Sequence, residues 1–373
     1  MRDVGIGLIG SGFMGKAHAL AFAAAATTFD LPIRPRYVVL ADIDSAMASA
    51  AAARLGFARS TGDWRTLVAD PAVELVDITA PNALHEEMAL AAIAAGKHVY
   101  CEKPLAATAA AAERMARAAR SAGRITQVGF NYLKNPIIAL ARSIIAKGEI
   151  GDVVGFRGIH AEGYMADPAT PWSWRHDPAG GGGAIADLGS HIIAMARFLV
   201  GPIAALTAQM STVVKRRPVA RGSAETRPVA VDDQAQLLVR FASGATGTIE
   251  ASWIAPGRTM QLAFEITGTQ GSLAFTQERF NELQLYRAGG PAGRQGFTTI
   301  TAGPEHDPYG AFCPAPGHQL GFNDLKTIEV RDLLLAIGGA GAGGPDFHEG
   351  WQIQRVVDAA ILSARERRWI EID

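Results

Sequence analysis

Val4-Gly5-Ile6-Gly7-Leu8-Ile9-Gly10-Ser11-Gly12-Phe13-Met14-Gly15 decides the fold: an apolar, strand-like run passes directly into a G-x-G-x-x-G turn, and the Ala-rich stretch Lys16 to Ala26 continues it as a helix. Each glycine has a physical use in such a turn. Gly10 permits the tight reversal, Gly12 lets the backbone approach a pyrophosphate, and Gly15 lets the helix pack closely on the sheet. A G-x-G-x-x-G at a strand-to-helix junction is far more specific than the same letters elsewhere. Gly10, Gly12, Phe13, Met14 and Gly15 are therefore candidate contacts to a dinucleotide.

The next strand, Tyr37 to Ala41, ends in Asp42, where an acid can accept hydrogen bonds from both adenosine ribose hydroxyls and repel a 2′-phosphate. That favours NAD over NADP. A second reading makes Asp42 a cap for the helix that begins near Ser45. The alternation continues with helix Ser45 to Leu55, strand Leu75 to Thr79, helix Asn82 to Ala95, strand His98 to Cys101, helix Ala107 to Ser121 and strand Ile125 to Phe130. Repeated strand–helix units with apolar strands predict a parallel sheet covered on both faces, which binds ligands at the carboxyl ends of its strands. Besides the glycine turn, that rule selects Thr79-Ala80-Pro81-Asn82, Glu102-Lys103-Pro104 and Asn131-Tyr132.

Beyond Asn131 the pattern changes. A helix from Ile137 to Lys147 precedes strands at Val153 to Ala161, Ala205 to Lys215, Asp233 to Phe241, Gly247 to Trp253, Leu262 to Thr267 and Ser272 to Phe275. Ser243-Gly244 and Thr269-Gln270-Gly271 supply hairpin turns, so an open, mostly antiparallel sheet is expected. With 373 residues the chain exceeds one ordinary core. The division predicted is residues 1–130 for the first domain and 131–373 for an α+β second domain, with the last helix, Phe347 to Arg365, packing back on the core and the active site between the domains.

Hydrophobic residues make up 49% of the chain and charged residues 19%, which excludes a mostly disordered protein. The 35 basic and 36 acidic side chains give a formal net charge of −1, so no global field draws the protein to nucleic acid or anionic membrane. The apolar stretch Ile192 to Ala208 contains Arg197 and Gly201-Pro202 and reads as a buried helix followed by a strand, not a membrane span. The strand-like run begins within four residues of Met1, so no export signal is expected, and two cysteines, Cys101 and Cys313, fit a reducing cytoplasm.

The chain resembles the Gfo/Idh/MocA family of nicotinamide-dependent oxidoreductases over essentially its full length. The resemblance is carried by Gly12-Phe13-Met14-Gly15-Lys16-Ala17-His18, Pro81-Asn82 with His85, Glu102-Lys103-Pro104, and Gly183-Ala184-Ile185-Ala186-Asp187-Leu188-Gly189-Ser190-His191. Phe130-Asn131-Tyr132, Ala166-Asp167-Pro168 and Trp174-Arg175 are most similar to its levoglucosan- and sugar-3-oxidising branch. The resemblance implies a Rossmann N-terminal domain and an α+β C-terminal domain whose sheet builds a homo-oligomer, a dimer or tetramer. It implies NAD as cofactor and oxidation of a secondary ring hydroxyl of a sugar, anhydrosugar, glycoside or inositol to a ketone. Lys103, Asp187 and His191 would then handle the proton. Cofactor contacts would come from the glycine turn, Asp42, Thr79, Pro81, Asn82, His85, Glu102, Lys103, Asn131, Trp174 and Arg175. Substrate contacts would come from Lys103, Asn131, Tyr132, Tyr164, Arg175, Asp187, His191 and His318.

The residues fit that chemistry. A carboxylate four positions before an imidazole can orient it and support its protonated form, and a lysine at a strand end can stabilise developing alkoxide charge. Asp187 and His191 also fit a helix-start pair with no chemistry. Gly180 to Gly183 serve either close backbone approach to a ligand or a flexible loop. Trp172, Trp174 and Arg175 either face a sugar ring or pack their loop down. Glu305-His306-Asp307 and Cys313 to His318 match no paired-cysteine spacing, so no metal is expected. Lys215-Arg216-Arg217, with Arg221 and Arg227, reads as a solvated loop or oligomer edge, or as a site for an acidic substrate. Two other functions use the same fold: an NAD-retaining glycoside-cleaving enzyme working by transient oxidation and elimination, and a non-catalytic dinucleotide sensor.

Overall fold

The computed structural model describes residues 2–372. The glycine turn belongs to a six-stranded, all-parallel sheet of β1 (Arg2–Ile9), β2 (Ile33–Ala41), β3 (Arg59–Thr61), β4 (Leu75–Ile78), β5 (His98–Cys101) and β6 (Thr126–Val128). The strand order is β3-β2-β1-β4-β5-β6. This order reverses direction between β1 and β4, which places the topological switch point at the glycine turn. Helices α1 (Phe13–Thr28), α2 (Ser45–Leu55), α3 (Trp64–Ala69), α4 (His85–Ala94) and α5 (Ala109–Ala122) connect the strands. Their ends follow local chemistry: Asp44 caps α2 by accepting from Met47 N at 2.8 Å, and Gly56 closes it at φ 83°.

The second unit carries α6 (Pro136–Ala146), α7 (Ser190–Val200) and the four-residue α8 (Tyr309–Phe312). Its nine-stranded sheet contains β7 (Val153–Ala161), β8 (Ile203–Ser211), β11 (Gln234–Phe241), β12 (Thr246–Ser252), β13 (Gln261–Gly268), β14 (Gly271–Thr276), β15 (Glu282–Arg287), β16 (Thr298–Thr301) and β17 (Ile370–Glu371); β9 (Arg216–Pro218) and β10 (Thr226–Pro228) form a separate ribbon. The large sheet is open and antiparallel except for the β7–β12 pair. Its one face packs on α7. On β11 buried and exposed residues alternate, and Leu238 is 52% exposed. Strands β3, β16 and β17 escape the sequence pattern because they are short or polar, as in the Thr-Thr-Ile-Thr of β16, whereas β15, also missed, does alternate, with Leu283 and Leu285 buried.

The boundaries differ from those expected. The first compact unit contains residues 1–134 and 321–354, and the second contains 135–320 and 355–373. The physical reason is α9 (Phe322–Ile337), whose Val330, Leu333 and Leu334 are buried against Val4, Phe22, Leu31 and Leu75. Helix α10 (Phe347–Glu366) contributes residues to both units. The basic segment also reads differently in three dimensions. Arg217 is fully buried, donating from Nη1 to Asp167 O at 3.0 Å and from Nη2 to Met165 O at 2.7 Å, so it holds a loop instead of lining a solvated edge. One helical run, Pro178–Val200, is long and apolar enough to cross a membrane, with a mean hydropathy of 1.4 in its most apolar window. That window is 78% buried within the fold, as a core helix would be.

α9 brings charge as well as apolar surface into the first unit. The Lys326 ammonium donates to Glu102 Oε1 at 2.6 Å and Glu329 Oε2 at 2.9 Å, and lies 3.2 Å from the Tyr100 hydroxyl. His18 lies between Asp77, at 2.8 Å from Nδ1, and Glu102, at 2.9 Å from Nε2, and stacks on Tyr100. All these groups are buried. Burial alone would raise the Glu102 carboxyl, but Lys326 and His18 hold it well below the usual carboxylate range. Its stabilising contribution is thus present above the pKa of an unfolded Glu and lost as pH falls through the depressed folded value. Lys326→Met would leave the buried Glu329 without its cation and Glu102 with His18 alone. The expected loss is about 3–5 kcal/mol of unfolding free energy, read by urea denaturation at pH 7.5, and a loss below about 1 kcal/mol would refute the dependence.

Candidate active site

In the first unit the glycine turn is fixed by its neighbours before any ligand arrives. Gly10 has φ 97°, and a Cβ there would lie 2.8 Å from Thr79 Oγ1. Thr79 donates its hydroxyl to Ile9 O and Gly10 O, both at 3.0 Å, so its side chain seals the switch point. A Cβ on Gly15 would meet Gly10 O at 2.1 Å, which accounts for the close helix packing. Gly12 differs: a Cβ there meets nothing within 4 Å, so internal packing does not require this glycine. The open space there fits close approach of a ligand to the N-terminus of α1.

Asp42 sits at the carboxyl end of β2. Its Oδ2 accepts from Ser11 N at 2.8 Å and from the Ser11 hydroxyl, and Oδ1 accepts from Ile43 N at 2.7 Å. Asp44, not Asp42, caps α2. The acid is therefore tied to the glycine turn, where both can meet one dinucleotide.

Around the end of β5, the other Glu102 oxygen, Oε2, accepts from Lys103 N at 3.1 Å, and this fixes the main chain of the candidate catalytic lysine. The Lys103–Pro104 peptide is cis. His85 is fully buried, with Nε2 2.8 Å from Ala80 O and Nδ1 3.0 Å from Pro104 O. Burial keeps its pKa low, and its position is that of a brace between two loops. Pro81 and the buried Asn82 open the short turn before α4.

Asn131, just past β6, is buried, and its Nδ2 has no hydrogen-bond partner. An orphaned buried donor at a strand's carboxyl end points to an acceptor on a ligand. Tyr132 is buried beside it, with its ring 6.4 Å from Phe322. Phe322 in turn stacks at 5.8 Å on the exposed Phe13 of the glycine turn. The turn, the acid on β2 and the orphaned amide fit a nicotinamide dinucleotide.

In the second unit, Asp187 Oδ2 accepts from the Tyr164 hydroxyl at 2.7 Å and lies 3.3 Å from Arg175 Nε. Burial and the Asp187 carboxylate raise the Tyr164 phenol, so it stays protonated as a donor. Asp187 lies in a π-helical turn, Ile185–Gly189, that runs into α7, and the buried His191 follows on α7 with its ring 5.5 Å from His160. Such wide turns often mark functional sites. Arg175 lies over the Trp174 ring at 4.5 Å, and Trp172 donates from Nε1 to Pro228 O at 3.1 Å, so Trp172 packs its loop down. His318 is exposed in a loop of the same unit. Among the described residues, no three His, Cys, Asp or Glu side chains converge as a metal site.

Sequence reading assigns no role to Ser11, His18, Asp77, Tyr100, Phe322, Lys326 or Glu329. The one available signal was Lys326 and Glu329 among the apolar residues of α9, a spacing of three that puts both on one helix face.

Comparison with known proteins agrees with these features. Residues 4–130 match the model for the oxidoreductase family with an NAD-binding Rossmann fold, and residues 138–274 match the GFO/IDH/MocA C-terminal domain. Levoglucosan dehydrogenase of Pseudarthrobacter phenanthrenivorans is 42% identical, covering 100% of this chain and 99% of its own. A solved levoglucosan dehydrogenase in complex with NADH and levoglucosan superposes with a TM-score of 0.95 at 42% identity, over 100% of both chains. An NAD-binding oxidoreductase from Klebsiella pneumoniae superposes with the same TM-score at 49% identity, again over 100% of both chains. The chain belongs to the Gfo/Idh/MocA family, with an NAD-binding Rossmann domain, and is an oxidoreductase acting on CH–OH groups.

Proposed function

We propose that this chain oxidises a secondary ring hydroxyl of a neutral sugar, anhydrosugar, glycoside or inositol to a ketone, with NAD preferred over NADP. The observation that carries the reading is the convergence of the Tyr164 hydroxyl and the Arg175 guanidinium on Asp187, four residues before the buried His191. Bound NAD would supply the hydride acceptor at nicotinamide C4. Lys103, its main chain held by Glu102, donates to the reacting oxygen and stabilises developing negative charge there. His191 takes the hydroxyl proton. Asp187 is oriented by Tyr164 and Arg175, and its carboxylate favours the protonated imidazole. The orphaned Asn131 amide donates to the nicotinamide or to substrate. His318 and Tyr132 complete the proposed sugar contacts.

The relative named for levoglucosan makes a 1,6-anhydrosugar the first substrate to test. Both cysteines are free thiols, which supports a reducing, cytoplasmic setting. The outer face of the nine-stranded sheet, with Leu238 and Trp369 about half exposed, supports assembly of a homo-oligomer through that sheet.

Sugar-dependent NADH formation, followed by absorbance over a panel of anhydrosugars, glycosides and inositols, tests the activity. Lys103→Ala and His191→Ala should each lower kcat/KM on the order of 10²-fold or more, and losses of only a few-fold would remove them from the chemistry. Asp42→Ala should narrow the preference for NAD over NADP in kcat/KM; an equal or wider preference would take Asp42 out of the ribose site. Leu238→Lys should shift the mass measured by light scattering towards the monomer, and an unchanged mass would place the interface elsewhere.

A further inference from the structure

The glycine run at 180–183 meets protein, not an open loop. Gly183 has φ 110°, and a Cβ there would lie 2.3 Å from Asp232 Oδ1; a Cβ on Gly182 would lie 2.1 Å from Arg175 O. Gly183 N donates to Arg175 O at 3.1 Å, and Gly182 N to Asp177 O at 3.2 Å. The run is thus pressed between the turn that carries Arg175 and the buried Asp232, two residues before β11.

Asp232 holds the two residues after the glycines. Its carbonyl accepts from Ala184 N at 3.0 Å, and its Oδ2 accepts from Ile185 N at 2.9 Å. One residue therefore receives two of the backbone donors that a helix start leaves unpaired. The helical run they open passes through Asp187 to His191. Asp233, next in sequence, serves a different purpose: it accepts from Trp253 Nε1 at 2.7 Å, Val213 N at 2.6 Å and Val214 N at 2.8 Å.

We propose that Asp232 is a positioning residue for the proton-handling pair, pinning the start of the helical turn that carries Asp187 and His191 so that both side chains are held in one orientation. The proposal rests on the roles given above to Asp187 and His191. It also explains the glycines, because any side chain at 183 would displace the carboxylate that makes the bond.

The anchor is sensitive to pH. Burial, and secondarily the Asp233 carboxylate, push Asp232 up to about 6 against the pull of its bond from Ile185 N–H. The other ionisable groups on the elements packed here include Asp187, His191 and Arg197 on the helical run, Tyr164 bonded to Asp187, His160 and Glu162 at the end of β7, Arg175, His176 and Asp177 on the adjoining turn, and Arg217, 4.0 Å from Asp233. An ionised acceptor makes a bond roughly twice as strong as a neutral one, so the anchor tightens as pH rises through 6. Stability moves the other way on this group's account: a carboxyl with a raised folded pKa stabilises the fold most below its unfolded value and loses that contribution as pH rises through about 6. A merely structural role would not separate the two.

The test uses full-length Asp232→Asn and Asp232→Ala, with NAD and levoglucosan as probes. The readouts are the pH profile of kcat/KM, the KM for NAD, and amide exchange over residues 184–191 by mass spectrometry. In the wild type, the fall of log kcat/KM should steepen as pH drops through about 6, where Asp232 takes up its proton, with an added loss of about one log unit. Asp232→Asn should remove that steepening and lower kcat on the order of tenfold at pH 7.5, with the KM for NAD unchanged. Asp232→Ala should lose on the order of 10²-fold and exchange faster over 184–191, while Asp232→Asn stays close to wild type in exchange. Retention of the wild-type steepening and kcat in Asp232→Asn would overturn the proposal, as would faster exchange in Asp232→Ala with no loss of kcat. If the wild type oxidises no sugar, the functional reading fails by itself; exchange over 184–191 that is unchanged in Asp232→Ala would still refute the pin, and faster exchange would support it.

Discussion

Lys326 lies inside the first unit with its ammonium shared between Glu102 and Glu329, and the buried charges around the ends of β4 and β5 are balanced through it. Asp77 ends on β4, Glu102 follows β5, and Glu329 arrives on α9, so three carboxyls are gathered in the interior. Buried carboxylates persist only with cations or protons to answer them. His18 answers Asp77 and Glu102, and Lys326 answers Glu102 and Glu329. The remaining Glu102 oxygen is then committed to the Lys103 amide, so the cation on α9 and the proposed catalytic lysine share one carboxylate. This is why the contiguous strand–helix segment is incomplete alone: its balance of charge is supplied from residue 326.

The second unit applies the same rule with different groups. Asp187 is answered by a phenol and a guanidinium, Asp232 by main-chain amides, and Asp233 by an indole and two further amides. Each carboxylate ties together segments distant in sequence, and each bond is worth more out of water than in it. Two of these acids, adjacent in sequence, face opposite ways: Asp232 fixes the helical run, while Asp233 fixes Trp253 and the segment before β9. These bonds, set over an apolar core, specify one geometry more sharply than packing alone.

Local chemistry was legible in the sequence. The glycine turn, the strand–helix alternation, the acid after β2 and the lysine after β5 all depend on spacing within a few residues, and the structure has them where the pattern put them. What the pattern missed is long-range. Lys326 and Glu102 are 224 residues apart, and Asp232 and Ile185 are 47 apart. Periodicity treats a charged residue as facing water, so it puts Lys326, Glu329 and Arg217 on the surface, and only the spacing of the first two on α9 hints otherwise. His85 was legible as part of a motif but not in its role, because a histidine that braces two carbonyls and one that touches a ligand look the same in sequence. The glycine run was ambiguous for the same reason: the partner that forbids a side chain at Gly183 is Asp232.

Asp42 is built into the frame of the glycine turn. A carboxylate offers about four acceptor positions, and Ser11 and Ile43 occupy part of that capacity while holding the acid against the glycine turn. The residue that would read the ribose and the loop that would receive the pyrophosphate are therefore one hydrogen-bonded piece. Binding at one end does not have to order the other, so little conformational entropy is spent on arrangement. A phosphate placed near Asp42 would meet a negative charge that cannot swing away without releasing the turn. The proposed preference for an unphosphorylated ribose would rest on the rigidity of the turn as much as on the charge of the acid.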